Sequence, residues 1–566
     1  MTQVADYAAM KHGPKARLSV RGVWQHPSVR RLALYGVASS FMLLACVEQW
    51  RLLRSLLVRQ MNADHALLWF AAREWSRLSL REPTFYGQTY GVTFEGIPTA
   101  ILHAFGVPYP YALPLALFLL AWGAWLWLAA SALRRGMWIA GFAALAAPCL
   151  LSFKHWIVVG VIATGVGRLM AALCAGMILR GVSKPSRACT AAAVGGLAVA
   201  FDSASLILAG PALVWAGWTW LRMRRFWLPV ALSGLAPAAW IGLKAWFDRV
   251  HPDHDMHNTW SFAPELKPLI SNLHDPDRLF GVQSLELWHE GATIPMLLVC
   301  LLVLALCARA WREAATVSCV IAQLTYLAAL DKSLDDLGTL WYPAARMTLG
   351  VPMAVWFVST VTFHACWTRW RKLRPTSAVA QQLALPLLML LTAGSAVVRA
   401  QHWDKRIYTI EQAGIEPTFL ELSHPWEIEA ICTQARTAAQ AWGTDLVAIP
   451  TEGTATYACP AMYPELVTVF PSYERRYWIL HDLASTQTRR MILWGKTEKF
   501  CRMRRVSELF TECHGTASGR AVALAWKDKD PLQMLHALRY KVRPFGPGCK
   551  PKDTSTCAWW VERYRR

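Results

Sequence analysis

The stretch MNADHALLWFAAREWSRLSLREPTFYGQTYGVTFEGIP, Met61–Pro98, opens with an isolated acid, Asp64, and a carboxylate there suits a general base or a metal ligand. Arg51, Arg54, Arg59, Arg73, Arg77 and Arg81 share this part of the chain. Guanidinium groups beside lipid headgroups suit the grip of an anionic phosphate, and the plainer reading of each arginine is a side chain snorkelling from a helix. Asp64 also has a plainer reading, as the N-cap of the helix that follows. Leu67, Leu68, Phe70, Ala71, Trp75 and Leu78 recur at helical spacing, which predicts a helix lying along a membrane surface. Beyond it, Tyr86, Gln88, Tyr90 and Glu95 stand among the glycines of FYGQTYGVTFEG, either as substrate contacts or as a packed aromatic turn.

The elements that must position these residues follow from hydropathy. With 55% apolar residues, 30 tryptophans and only 17% charged residues, the chain is too hydrophobic for a soluble protein of several domains. The net charge of +21 falls in short clusters between apolar runs, a distribution that excludes nucleic acid as the partner. A bilayer span needs roughly 20 mostly apolar residues. Runs near 32–48, 112–133, 137–153, 156–179, 188–202, 205–221, 226–247, 292–308, 314–330, 343–365 and 379–399 predict about eleven spans. Loops on the N-terminal side of this count are rich in Lys and Arg and hold only the acids Asp6 and Glu313, so the N-terminus reads as cytoplasmic. No small-residue cleavage motif follows the first run, so it is expected to stay as an anchor.

An odd span count places the tail outside, and the cysteines point the same way. Cys432, Cys459, Cys501, Cys513, Cys549 and Cys557 all lie in the tail without a CxxC pair, which reads as disulfides in an oxidising compartment. The expected organisation is a cytoplasmic segment 1–31, a membrane region 32–400 with large periplasmic loops at 49–111 and 248–291, and a periplasmic soluble domain 401–566. Segments such as DLVAIPT and RRMILWGK read as strands, which makes the tail a soluble α/β domain.

One span, a large outer loop with an early acid, an amphipathic helix and a Tyr-Gly-rich turn resemble the GT-C membrane glycosyltransferases that use polyprenyl-phosphate sugars. The branch that matches holds the protein mannosyltransferases and the aminoarabinose transferase of lipid A. GGLAVAFDSASLILAGPALVWAG at 195–217 is similar to that family's paired helices around a Gly-rich turn, and LWYPAARMTLGVPMAVW at 340–356 to its late arginine-containing outer segment. The resemblance implies that Asp64 activates the acceptor hydroxyl, directly or with a divalent cation such as Mg or Mn, for which Asp64 is the one ligand to name. The family's two neighbouring acids are replaced by Asn62-Ala63-Asp64-His65, and its Lys-Pro-Pro phrase is missing. Substrate contacts are expected from His65, Arg73, Tyr86, Gln88, Tyr90, Glu95, Lys154, His155, Asp202 and Arg346. Asp202 sits at the outer end of a span, where an acid faces a cavity or a partner. Lys154, His155 and Arg346 sit at outer helix ends, where they hold a phosphate or anchor the interface.

These readings converge on a polytopic α-helical membrane protein of the bacterial inner membrane. The expected activity is inverting transfer of a monosaccharide from a polyprenyl-phosphate donor to a periplasmic glycan, lipid or protein. Lipid A, O-antigen, a cell-wall arabinan and a pilin all remain open as acceptors, with an arabinosyltransferase among the possibilities. Two other classes compete: a transporter or flippase of lipid-linked sugars, and a cell-envelope scaffold. A transporter predicts ionisable residues in the middle of its spans. Here the acids gather at outer ends and in outer loops. A scaffold needs far fewer spans.

Overall fold

The computed structural model describes residues 27–59, 61–86, 91–161, 165–181, 184–251, 263–288, 290–334, 343–370, 378–405, 424–450, 453–469, 476, 478–479, 488–527 and 534. Its apolar runs are helical, because a segment shielded from water must pair each N–H and C=O within itself. α1 (Pro27–Leu52) leads into a π-helical turn at Leu53–Leu57. α2 (Ala63–Ser76) and α3 (Gly96–Ala104) lie in the first long loop. Then follow α4 (Tyr109–Arg134), α5 (Trp138–Leu150), α6 (Phe153–Val161), α7 (Gly165–Leu179), α8 (Pro185–Phe201) and α9 (Leu206–Trp220). α10 (Trp227–Ser233) and α11 (Leu235–Val250) precede the second long loop, which holds α12 (Leu266–His274) and α13 (Pro276–Phe280). α14 (Thr293–Cys307), α15 (Trp311–Ala328), α16 (Pro343–Thr348), α17 (Val351–Trp370) and α18 (Ala378–Gln401) complete the helical region.

Each apolar run read from the sequence is helical over most of its length. Four of the described segments, Tyr109–Arg134, Arg224–Val250, Arg346–Arg369 and Leu383–Gln401, are long and apolar enough to cross a bilayer by length and composition alone. The run expected as one span at 156–179 is two helices, α6 and α7, inclined at 114°. A local cause accompanies the restart: the Glu95 carboxylate, from the first loop, accepts the Val166 N–H at 3.1 Å and caps the first turn of α7. Gly167 then lets α7 meet the end of α8, since a Cβ there would lie 2.7 Å from Asp202 Cβ.

A buried charge cluster fixes the junction between α5 and α6. Arg399 of α18 donates to Pro148 O at 2.6 Å, Cys149 O at 3.1 Å and Leu151 O at 2.5 Å, so it closes the C-terminus of α5. It also lies 3.6 Å from Glu48 Oε2 of α1 and 3.3 Å from Glu286 Oε2. Glu286 accepts the Phe153 N–H at 2.7 Å and caps α6 in turn. One guanidinium and two carboxylates thus tie α1, α5, α6, α18 and the second loop together.

The tail contains α19 (Pro425–Trp442), α20 (Gly453–Met462) and α21 (Arg504–Leu509) around a sheet of β1 (Leu446–Ala448), β2 (Val467–Val469), β3 (Arg490–Trp494), β4 (Glu512–Gly515) and β5 (Ala521–Ala525). The strand order is β2-β1-β3-β5-β4. β1 runs parallel to β2 and β3, and β5 antiparallel to β3 and β4. Parallel neighbours need a crossover, which α20 supplies between β1 and β2. Gly443 ends α19 in the left-handed conformation at φ 67°, where a side chain would be strained. Disulfides join Cys432 to Cys459, hence α19 to α20, and Cys501 to Cys513. Cys549 and Cys557 lie outside the described residues.

The tail core continues into the first loop. Leu67, Leu68, Trp69 and Phe70 of α2 are at most 5% exposed and pack in one cluster with Ile428, Val447, Tyr457 and Ile492. Burial of such side chains contributes about 1.5–3 kcal/mol each. Tail side chains thus cover Leu67, Leu68 and Phe70 of the expected apolar face, while Leu78 at its far end is 90% exposed.

Candidate active site

α2 begins at Asn62, whose Oδ1 accepts the His65 N–H at 3.0 Å. Asn62 is the N-cap, so the capping alternative for Asp64 is set aside. Asp64 lies in the first turn, 9% exposed, with Arg346 Nη2 of α16 at 3.5 Å from its Oδ2. The Arg346 side chain is 27% exposed. Its Nε is buried and has no hydrogen-bond partner among the described residues.

α16 is the element around which the outer residues gather. It packs on the 3-10 turns Ser203–Ser205 and Gly281–Gln283. Thr348 Oγ1 at its end accepts from Gln283 Nε2 at 3.2 Å, and Gln283 Oε1 lies 2.5 Å from Nδ1 of the buried His155. His155 is thereby held at the start of α6 by a chain that leads back to the helix of Arg346.

On the other turn, Asp202 accepts the Ala204 N–H at 3.1 Å and the Ser205 hydroxyl at 3.4 Å. Glu95 is 1% exposed, and its Oε2 has no hydrogen-bond partner among the described residues. Burial pushes the Glu95 carboxyl up to about 7; the Val166 N–H opposes this, Asp202 adds to it and Arg168 counters it. Phe94, Phe201 and Trp240 pack edge-on or tilted against one another, with ring centroids 4.9–5.3 Å apart.

The remaining expected contacts are placed as follows. His65 is buried beside Asp64. Tyr86 is 2% exposed and edge-on to Trp478 at 5.1 Å and to Phe70 at 5.9 Å, as the packed-turn reading requires. Arg73 donates to Pro460 O of α20 at 2.8 Å, so this arginine faces the tail. Lys154 is exposed. Gln88 and Tyr90 lie outside the described residues.

Sequence reasoning missed Arg168, Gln283 and Thr348. Arg168 had a signal, an ionisable residue inside an apolar run. Gln283 and Thr348 had none, since both are ordinary polar residues in loops or at helix ends. For a divalent cation the donor set does not fit: no group of three His, Cys, Asp or Glu side chains that would hold one occurs among the described residues, and the cation beside Asp64 is Arg346.

The fold of this chain is similar to that of a solved structure of ArnT from Cupriavidus metallidurans, bound to undecaprenyl phosphate, with a TM-score of 0.50, covering 87% of this chain and 98% of that one. The chain has the GT-C fold. Sequence identity to ArnT is 14%, so the likeness is one of fold. No family model and no curated protein sequence matches the chain. The GT-C fold makes it a polytopic helical membrane protein, in which α2 and α16 meet at the Asp64–Arg346 pair.

Proposed function

We propose that this protein is an inverting membrane glycosyltransferase that moves a monosaccharide from a polyprenyl-phosphate donor to a glycan, lipid or protein. The observation that carries the reading is the Asp64–Arg346 pair, at 3.5 Å in a GT-C fold, with the capping of α2 left to Asn62. The undecaprenyl phosphate bound to ArnT supports a lipid phosphate as donor.

Asp64 removes the proton of the acceptor hydroxyl as its oxygen attacks the anomeric carbon. The bond from that carbon to the phosphate oxygen breaks, and the polyprenyl phosphate leaves with the electron pair. Arg346 answers the charge on the leaving phosphate with the donors that Asp64 does not use, in a site where fixed charge is worth more than in water. His155, Glu95 and Asp202 line the adjoining turns as substrate contacts, while Tyr86 braces the loop.

About eleven spans, a cytoplasmic N-terminus and a periplasmic tail complete the proposal, with the bacterial inner membrane as the location. The test is transfer from a polyprenyl-phosphate sugar by the purified protein and by Asp64→Asn. A positioned base contributes roughly 10²–10⁴-fold, so transfer at least a hundredfold slower is expected. Near wild-type transfer would sink the role given to Asp64.

A further inference from the structure

α2 is a 14-residue helix with Asp64 in its first turn and Arg73 in its last. At 1.5 Å per residue it is a rod of about 21 Å, so whatever fixes one end aims the other. One flank is set by close packing. A Cβ on Gly96 would lie 2.9 Å from Ala72 N, and Trp75 Nε1 donates to Thr93 O at 3.1 Å. The opposite flank meets the tail, and there the contact is polar and specific. Pro460 is in the last turn of α20, where carbonyls have no partner within the helix, and Arg73 Nη1 satisfies that carbonyl at 2.8 Å.

α20 is itself held, since Cys459 within it is bonded to Cys432 of α19. The Phe70 ring, one turn before Arg73, lies 5.8 Å from the Arg73 guanidinium and 5.3 Å from that of Arg476, a fully buried tail residue. Trp478 stacks on the same ring at 6.3 Å. Burial lowers the Arg73 pKa, a cost that a surface arginine would not carry. The Arg73 Nη1 donor is directed at the tail, and its buried Nε has no hydrogen-bond partner among the described residues.

We propose that Arg73 is a positioning residue, which fixes the rotation of α2 against the disulfide-anchored helix α20 and so holds Asp64 opposite Arg346. The tail thereby acts on the reaction without touching substrate. This rests on Asp64 as the base.

The experiment compares wild type, Arg73→Ala, Arg73→Lys and Asp64→Asn in detergent, by kinetics with a polyprenyl-phosphate sugar and by hydrogen exchange of the α2 amides. Arg73→Ala is expected to lower kcat at least tenfold with the donor KM within twofold, and to speed exchange in the first turn of α2. Arg73→Lys, which still donates to Pro460 O, should recover kcat to within threefold. Cys432→Ser with Cys459→Ser frees α20 without altering α2 and should reproduce the Arg73→Ala result, which covers a variant that does not fold.

A raised donor KM that lysine fails to rescue would make Arg73 a direct ligand and overturn the proposal. So would lost thermal stability with unchanged kcat and unchanged exchange. Near wild-type transfer by Asp64→Asn would instead remove the role of Asp64, and the exchange data on Arg73→Ala would still decide whether the tail fixes α2.

Discussion

Arg346 Nη2 lies 3.5 Å from Asp64 Oδ2 although 282 residues separate the two. The contact joins the first turn of α2 to α16, and it leaves the end of α2 to Asn62. Capping and chemistry therefore sit on different residues, two positions apart. Asn62→Ala removes the cap and should cost about 1 kcal/mol of stability. Asp64→Asn should leave the thermal midpoint within a few degrees while it abolishes most transfer. Thermal unfolding of the two variants, side by side, checks the division; a large stability loss confined to Asp64→Asn would reverse it.

Glu95 should make stability depend on pH. Its carboxyl is raised from 4.5 to about 7 by burial, so the folded protein keeps a proton that the unfolded chain releases. For an acid raised in this way, the contribution is fully present below the unfolded value and is lost as pH rises through the folded one. The loss is on the order of a few kcal/mol across that window. Glu95→Gln removes the titration. The wild-type melting temperature should fall from pH 5 to pH 8 by several degrees more than that of the variant, and parallel curves would exclude Glu95 as the source.

Arg399 is 2% exposed and faces Glu48 and Glu286. Removing one partner from a buried ion cluster costs roughly 3–5 kcal/mol, because the other charges stay buried. Arg399→Ala should therefore be among the most destabilising single changes in the helical region. Arg399→Met with Glu48→Gln and Glu286→Gln should recover part of the loss. A triple variant no better than the single one would indicate that the carbonyl contacts, and not the charges, matter.

Cysteine chemistry separates the tail from the membrane region. Cys432, Cys459, Cys501 and Cys513 are paired, whereas Cys46, Cys149, Cys174, Cys189, Cys300, Cys307, Cys319 and Cys366 are free thiols. Alkylation of the denatured, unreduced protein should label the second set and spare the first, as peptide mass mapping reads. Reporter fusions after Arg374 and after Asp404 should report cytoplasm and periplasm respectively, and both on one side would remove the eleven-span proposal.

The sequence by itself determined whatever depends on local composition. Apolar runs became helices, because shielded backbone has no other partner than its own segment. DLVAIPT and RRMILWGK became β1 and β3, and the four tail cysteines among the described residues are paired while those of the helices are free. The isolated carboxylate of the first loop also stood out by position alone. Tertiary structure decided the rest. The restart of the chain at α7 is capped by Glu95, which arrives from a distant loop, so hydropathy along the run gave no sign of the break. The apolar face of α2 carries the same spacing whether lipid or protein covers it, and only the tail's arrival distinguishes the two. Arg346 beside Asp64, Gln283 beside His155 and the Pro460 carbonyl beside Arg73 each lie more than 100 residues away, and a side chain's neighbour across such a distance is fixed by packing, which a linear sequence does not state.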